Sequence, residues 1–132
     1  MFALVLLSFI LLFAMGRVRF AALKRREVRL SDIGLGQKAW PAQATQVSNA
    51  YSNQFEIPVL FYALVALATP LRQMDLAMVL LAWVFVVTRY VHAGVYATSN
   101  NLNQRFPAFF AGALVLMVMW IYFAFKIYFA LL

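Results

Sequence analysis

The sequence predicts an all-α membrane protein, a bundle of four transmembrane helices in one domain. Three observations predict it. The 132 residues are 66% hydrophobic and 11% charged, whereas a water-soluble domain is about half apolar and a quarter charged. The apolar residues gather into four runs, each near the ~20 residues a helix needs to cross hydrocarbon. Helices also satisfy their own backbone groups in lipid, which open strands cannot do.

The first run covers about residues 1–23, interrupted late by Arg17 and Arg19. No basic segment precedes it, so it reads as a helix rather than a signal peptide. The second covers about 47–69 and stops at Pro70; the third covers about 74–97. The fourth covers about 107–132, with Pro107 suited to a first helical turn. Behind the first run stand Arg17, Arg19, Lys24, Arg25, Arg26, Arg29 and Lys38. Basic residues stay on the cytoplasmic side, so this loop is expected in the cytoplasm. The N-terminus, the 70–73 turn and the C-terminus then lie outside, and the 98–106 loop inside. No soluble nucleic-acid module remains in the chain, so the basic stretch reads as a topology signal rather than a nucleic-acid surface. Lys126, near the outer end of the fourth helix, can extend toward the interface.

The chain has no cysteine and one histidine. That excludes a disulfide framework and a thiolate nucleophile of its own, and it argues against a protein-held metal.

Polar residues within the runs are few and ordered. The second helix carries Gln46, Asn49, Asn53 and Glu56, all on one face. The third carries Arg89, His92, Tyr96 and then Ser99 or Asn100, again on one face. Glu56 is about 14 Å in from the cytoplasmic end and Arg89 about 12 Å, at 1.5 Å per residue. An unpaired charge at that depth is costly, so Glu56 and Arg89 are expected to form an ion pair. Asn53, Tyr96 and Arg105 lie nearer the mouth, and Arg19 of the first helix can reach the same level. Cations outnumber carboxylates there, which suits an anionic ligand. The bland alternative is helix glue, buried polar groups that fix bundle register.

This order of motifs resembles the MAPEG family, the membrane-associated proteins in eicosanoid and glutathione metabolism. The resemblance rests on Asn53-x-x-Glu56 followed by Pro58, on Arg89-x-x-His92-x-x-x-Tyr96 with Arg105 nine residues beyond, and on Gly16-Arg17-Val18-Arg19. It covers nearly the whole chain and looks like the bacterial branch. It implies a twelve-helix homotrimer in a bacterial inner membrane. Glutathione would bind as co-substrate between subunits near the cytoplasmic face, with no metal. Arg19 of a neighbour, Asn53, Glu56, His92 and Tyr96 would line the ligand, and Arg105 would be the catalytic arginine that holds its thiolate. The expected activity is a glutathione-dependent transferase or peroxidase acting on a lipophilic molecule from the bilayer. Where the family usually has one or two arginines before the asparagine, this chain has Asn49 and Ser52; Phe106 and Phe109 follow Arg105 where polar groups are common. Two other classes compete: a non-catalytic trimer that binds lipid or scaffolds partners, and a proton-coupled multidrug transporter built around Glu56.

Overall fold

The computed structural model describes residues 1–34 and 39–130. Gly36 and Lys38 of the basic loop, and the last two residues of the expected fourth helix, lie outside the described residues. Helix α1 covers Phe2–Lys24, α2 the single turn Leu30–Ile33, α3 Ala42–Ser52, α4 Ile57–Ala68, α5 Leu76–Ala97 and α6 Leu102–Ala130. A 3-10 turn, Asn53–Phe55, joins α3 to α4. No strand occurs among the described residues. Three helices, α1, α5 and α6, are long and apolar enough to cross a membrane, and their outward faces carry large apolar side chains such as Phe13, Phe20, Trp83, Val87 and Phe125.

The single second helix expected over 47–69 is instead two helices around a turn. Pro58 is the cause. It has no N–H to give the carbonyl of Gln54, and its ring would strike that carbonyl in a continuous helix. The chain therefore tightens over Asn53–Phe55 and leaves the helical basin at Glu56, where φ is −98° and ψ −108°. Glu56 caps the restart: its carbonyl accepts from the Val59 N–H at 3.1 Å. Pro58 then falls in the first turn of α4, where a missing N–H costs nothing.

The fourth helix begins at residue 102 rather than 107. Asn101 supplies the start signal, its side-chain oxygen accepting from the Asn103 N–H at 2.9 Å as an N-cap. Pro107 lies one turn inside, and the acceptor it leaves without a partner belongs to exposed Asn103.

Helix α5 packs chiefly on α6, and α1 chiefly on α3. The α5–α6 contact is close at Gly112: a Cβ there would stand 2.8 Å from Thr88 Oγ1. Leu4, Leu7 and Leu11 of α1 meet Phe61 and Leu64 of α4, Phe85 and Val86 of α5, and Leu116, Met119 and Phe123 of α6 in one buried cluster. Phe61 and Phe85 stack at 4.8 Å. Tyr90 donates from its hydroxyl to the Ala3 carbonyl at 2.7 Å, tying α5 to α1.

A polar cluster closes the N-terminal end of α5. Asp75 caps α5 by accepting from the Met78 N–H at 2.9 Å. Its other oxygen accepts from the Tyr122 hydroxyl at 2.6 Å and from Lys126 Nζ at 2.7 Å. Lys126 also donates to the Gln73 carbonyl at 2.8 Å. The ammonium expected to extend toward the interface is thus turned onto the α4–α5 connection. Lys126, then Tyr122 and the Met78 amide, hold the Asp75 carboxyl well below the usual carboxylate range.

Candidate functional site

The opposite end of α5 gathers the polar stripe. Arg89 is fully buried. Its Nη2 donates to the side-chain oxygen of Asn53, and the amide nitrogen of Asn53 donates to a Glu56 carboxylate oxygen at 2.6 Å. The expected direct ion pair is therefore replaced by a relay. Among the described residues the ion pairs within 4.0 Å are Arg25–Glu27 and Lys126–Asp75. The physical reason is the 3-10 turn: it brings Asn53 over the guanidinium and leaves Glu56 one step beyond, on the exposed side. Arg89 Nε and Nη1 make no hydrogen bond among the described residues. The guanidinium carbon of Arg89 stands 5.8 Å from the centre of the Phe109 ring.

Phe109 connects this half to the next. Its ring lies 5.5 Å from that of His92, which meets Tyr96 edge-on at 5.8 Å. His92 Nδ1 is 3.1 Å from the backbone carbonyl of Arg105. A carbonyl only accepts, so Nδ1 carries the proton and Nε2 is left as a buried acceptor. Arg105 lies half-buried over the face of Tyr96, 4.0 Å from the ring centre. This is a short cation–π contact. Its Nη1 donates to the side-chain oxygen of Asn100. Asn53, Glu56, Arg89, His92, Tyr96 and Arg105 thus form one chain of contacts running from the 3-10 turn to the start of α6.

Arg19 stands apart from that chain. It donates from Nη2 to Ser48 Oγ at 3.0 Å and lies 4.9 Å from the centre of the Trp40 ring. Both partners are in the same chain, and Arg19 makes no such contact with Asn53, Glu56, His92 or Tyr96 among the described residues. Gln46, the first polar residue of the stripe expected on the second helix, donates from its side chain to the Thr98 carbonyl at 2.8 Å and so clamps α3 to the end of α5. Asn49 and Ser52 are both exposed.

The sequence reading named Phe109 and Asn100 but foresaw neither contact. Phe109 links Arg89 to His92, and Asn100 holds Arg105. Both were legible as helical neighbours in principle, since Phe109 follows Arg105 by four residues and Asn100 follows Tyr96 by four. In the sequence, an apolar ring and a loop asparagine carry no mark of the contacts they make.

Beside the turn, an apolar cavity of about 430 Å³ opens between α1 and the α3–α4 junction. Val5, Phe9, Tyr51, Phe55 and Tyr62 form most of its wall, and Gln54 is its buried polar member. The 3-10 turn thus presents Asn53 to Arg89 while Gln54 and Phe55 face this cavity.

No group of three or more His, Cys, Asp or Glu side chains suited to a metal occurs among the described residues. In comparison with known protein families, the model of the MAPEG family matches residues 1–125. No curated protein and no solved structure matches the chain significantly. The match spans nearly the whole chain, including all the residues of the polar chain described above, and this protein belongs to the MAPEG family.

Proposed function

We propose that the protein activates the thiol of glutathione in the membrane and passes the thiolate to a lipophilic acceptor, as a transferase or peroxidase. One observation carries the reading: Arg105, half-exposed, is braced on Tyr96 and beside His92 at the end of a polar chain that reaches Glu56. A free thiol has a pKa of about 8.5, and a guanidinium beside it lowers that value. The bound thiol gives up its proton to solvent, and Arg105 offsets the charge left on sulfur. In the transferase reaction the sulfur lone pair then forms a bond to an electrophilic carbon while the leaving group departs with its electron pair. Glu56 is suited to the ligand's ammonium group, and the cations to its carboxylates. The apolar cavity beside the turn would give the lipophilic partner a place next to the polar chain.

The same reading takes the assembly to be a homotrimer of four-helix subunits, with the broken second segment as the fourth crossing and the Arg105 end in the cytoplasm. Support comes from Glu56, an exposed carboxylate in the single chain at a level where lipid would be a poor neighbour. A neighbouring copy would cover it, and Arg19 of that copy could add a cation. The test is spectroscopic. Purified protein with glutathione should develop thiolate ultraviolet absorbance, and Arg105→Ala should abolish it. No binding at millimolar glutathione would refute the proposal.

A second reading draws on Phe109, whose ring packs between Arg89 and His92 where a polar ligand group would otherwise lie. Phe106 does not add to this cover; it is exposed and stacks on Phe110 at 6.2 Å. In that reading the trimer holds lipid without turnover. Bound lipid on purification together with silence toward glutathione would favour it.

A further inference from the structure

We propose that Asn100 is a positioning residue for Arg105, one that holds the guanidinium through a neutral oxygen and so leaves its full charge for the ligand. This rests on the thiolate role proposed for Arg105.

Asn100 lies past the end of α5 with φ of 51°, and its N–H reaches back to the Val95 carbonyl at 2.8 Å. The left-handed region admits glycine most easily and asparagine next. For closing a helix, glycine would serve at least as well. Asparagine brings something glycine lacks: Oδ1, which accepts from Arg105 Nη1. An arginine side chain is long and loses much rotamer freedom when fixed. Here it is fixed at three levels. The backbone of Arg105 donates to the Asn101 carbonyl at 2.9 Å and accepts from His92 Nδ1 at 3.1 Å. The guanidinium face rests on Tyr96. Its edge is held by Asn100. A guanidinium has five N–H donors, and the Asn100 bond takes a single nitrogen, so the others stay available to an anion. Among the described residues, the titratable groups packed against Arg105 are His92 and Tyr96, both on α5.

The chemistry of the acceptor matters. A carboxylate at position 100 would hold the guanidinium more firmly than an amide. It would also place a negative charge beside the bound thiolate and cancel part of the attraction that stabilises it. An amide oxygen fixes the group without that opposition. The backbone conformation and the side-chain bond can therefore be separated by substitution: Gly and Asp both tolerate a left-handed residue, but Gly removes the acceptor and Asp charges it.

The experiment is a pH titration of thiolate absorbance, with turnover alongside, on the full-length protein with glutathione as probe. Wild type is compared with Asn100→Gly and Asn100→Asp. Asn100→Gly should keep the thermal midpoint, lower turnover several-fold and move the titration slightly upward. Asn100→Asp should move it upward by about one pH unit, roughly a tenfold loss of thiolate at a fixed pH below the midpoint. Three superimposed titrations with equal turnover would overturn the role of Asn100 and leave Arg105 standing. A wild-type protein that forms no thiolate would remove the Arg105 reading and this inference together. Should Asn100→Gly fail to fold, the Asn100→Asp titration decides alone, since charge and not folding sets its direction.

Discussion

Gly112 offers a sharp test of how α5 and α6 meet, because one atom sets the contact. A Cβ at position 112 would lie 2.8 Å from Thr88 Oγ1, 3.5 Å from Thr88 Cβ and 3.8 Å from Arg89 Cδ. Only the first distance is too short, so Gly112→Ala must push the hydroxyl aside. That hydroxyl now donates to the Phe85 carbonyl at 2.7 Å, and turning it away loses about 1 kcal/mol. Residual crowding in a tight interface adds about 1 kcal/mol more, at the low end for an inserted methyl group. Against this, alanine is favoured over glycine inside a helix by about 1 kcal/mol. The net expectation is a loss of about 1 kcal/mol for Gly112→Ala. In a Thr88→Ala background the short contact disappears, and the same substitution should become neutral or stabilising by up to about 1 kcal/mol. Equilibrium unfolding of the detergent-solubilised protein across the four-member cycle measures both numbers. An equal effect of Gly112→Ala in the two backgrounds would refute the contact as described, because the coupling between the two positions would then be absent.

Other expectations follow from the polar clusters. Asn53→Ala strips buried Arg89 of the one hydrogen bond it makes among the described residues and should destabilise by about 2–3 kcal/mol, the usual cost at a charged group; chemical unfolding measures it, and a loss below ~0.5 kcal/mol would mean the guanidinium finds another partner. Asp75 is held below its ordinary pKa of 3.8, so its contribution is complete above that value and fades as pH falls below it. Melting curves from about pH 5 down to pH 2 should show wild type losing stability and Asp75→Asn starting lower but changing less; parallel curves would contradict the cluster. Pro58→Ala restores an amide N–H opposite Gln54 and removes the ring, so helix content by circular dichroism should rise and the Asn53 relay to Arg89 should loosen. Unchanged helicity would show that something other than Pro58 breaks the helix.

Much of the fold was legible because lipid imposes few solutions. Composition and run length sufficed for α1, α5 and α6, and periodicity placed Arg89, His92 and Tyr96 on one face. The stripe on the second helix was also legible, but its geometry was not. Counting by threes and fours assumes an unbroken helix, and Pro58 ends that assumption five residues upstream of itself, at Asn53. The direct Glu56–Arg89 contact gave way to a relay through Asn53 for this reason, because the turn changes which side chain faces the guanidinium. Contacts between distant segments left no trace in the sequence. Asp75 meets Lys126 across 51 residues and Arg19 meets Ser48 across 29, and neither separation has a period. The start of α6 was missed because Pro107 is a stronger written signal than Asn101, although the asparagine cap decides it.

The interrupted second segment also bears on how the chain enters a membrane. Helix α4 has 12 residues, about 18 Å of helix, against a hydrocarbon core of about 30 Å. In the proposed fourth crossing the remaining depth would fall to α3, whose Gln46, Asn49 and Ser52 partition poorly into lipid. An insertion machinery that weighs each segment by its own transfer free energy would favour α1, α5 and α6 and find this one deficient. Helix α3 rests on α1 and α5, and α4 on α6. If the segment forms the proposed fourth crossing, its depth in the bilayer would be set after its neighbours are in place, by the company it keeps. Variants that weaken α5 or α6 should then show up first as mistargeted or degraded chains during biogenesis, before any defect in a mature protein.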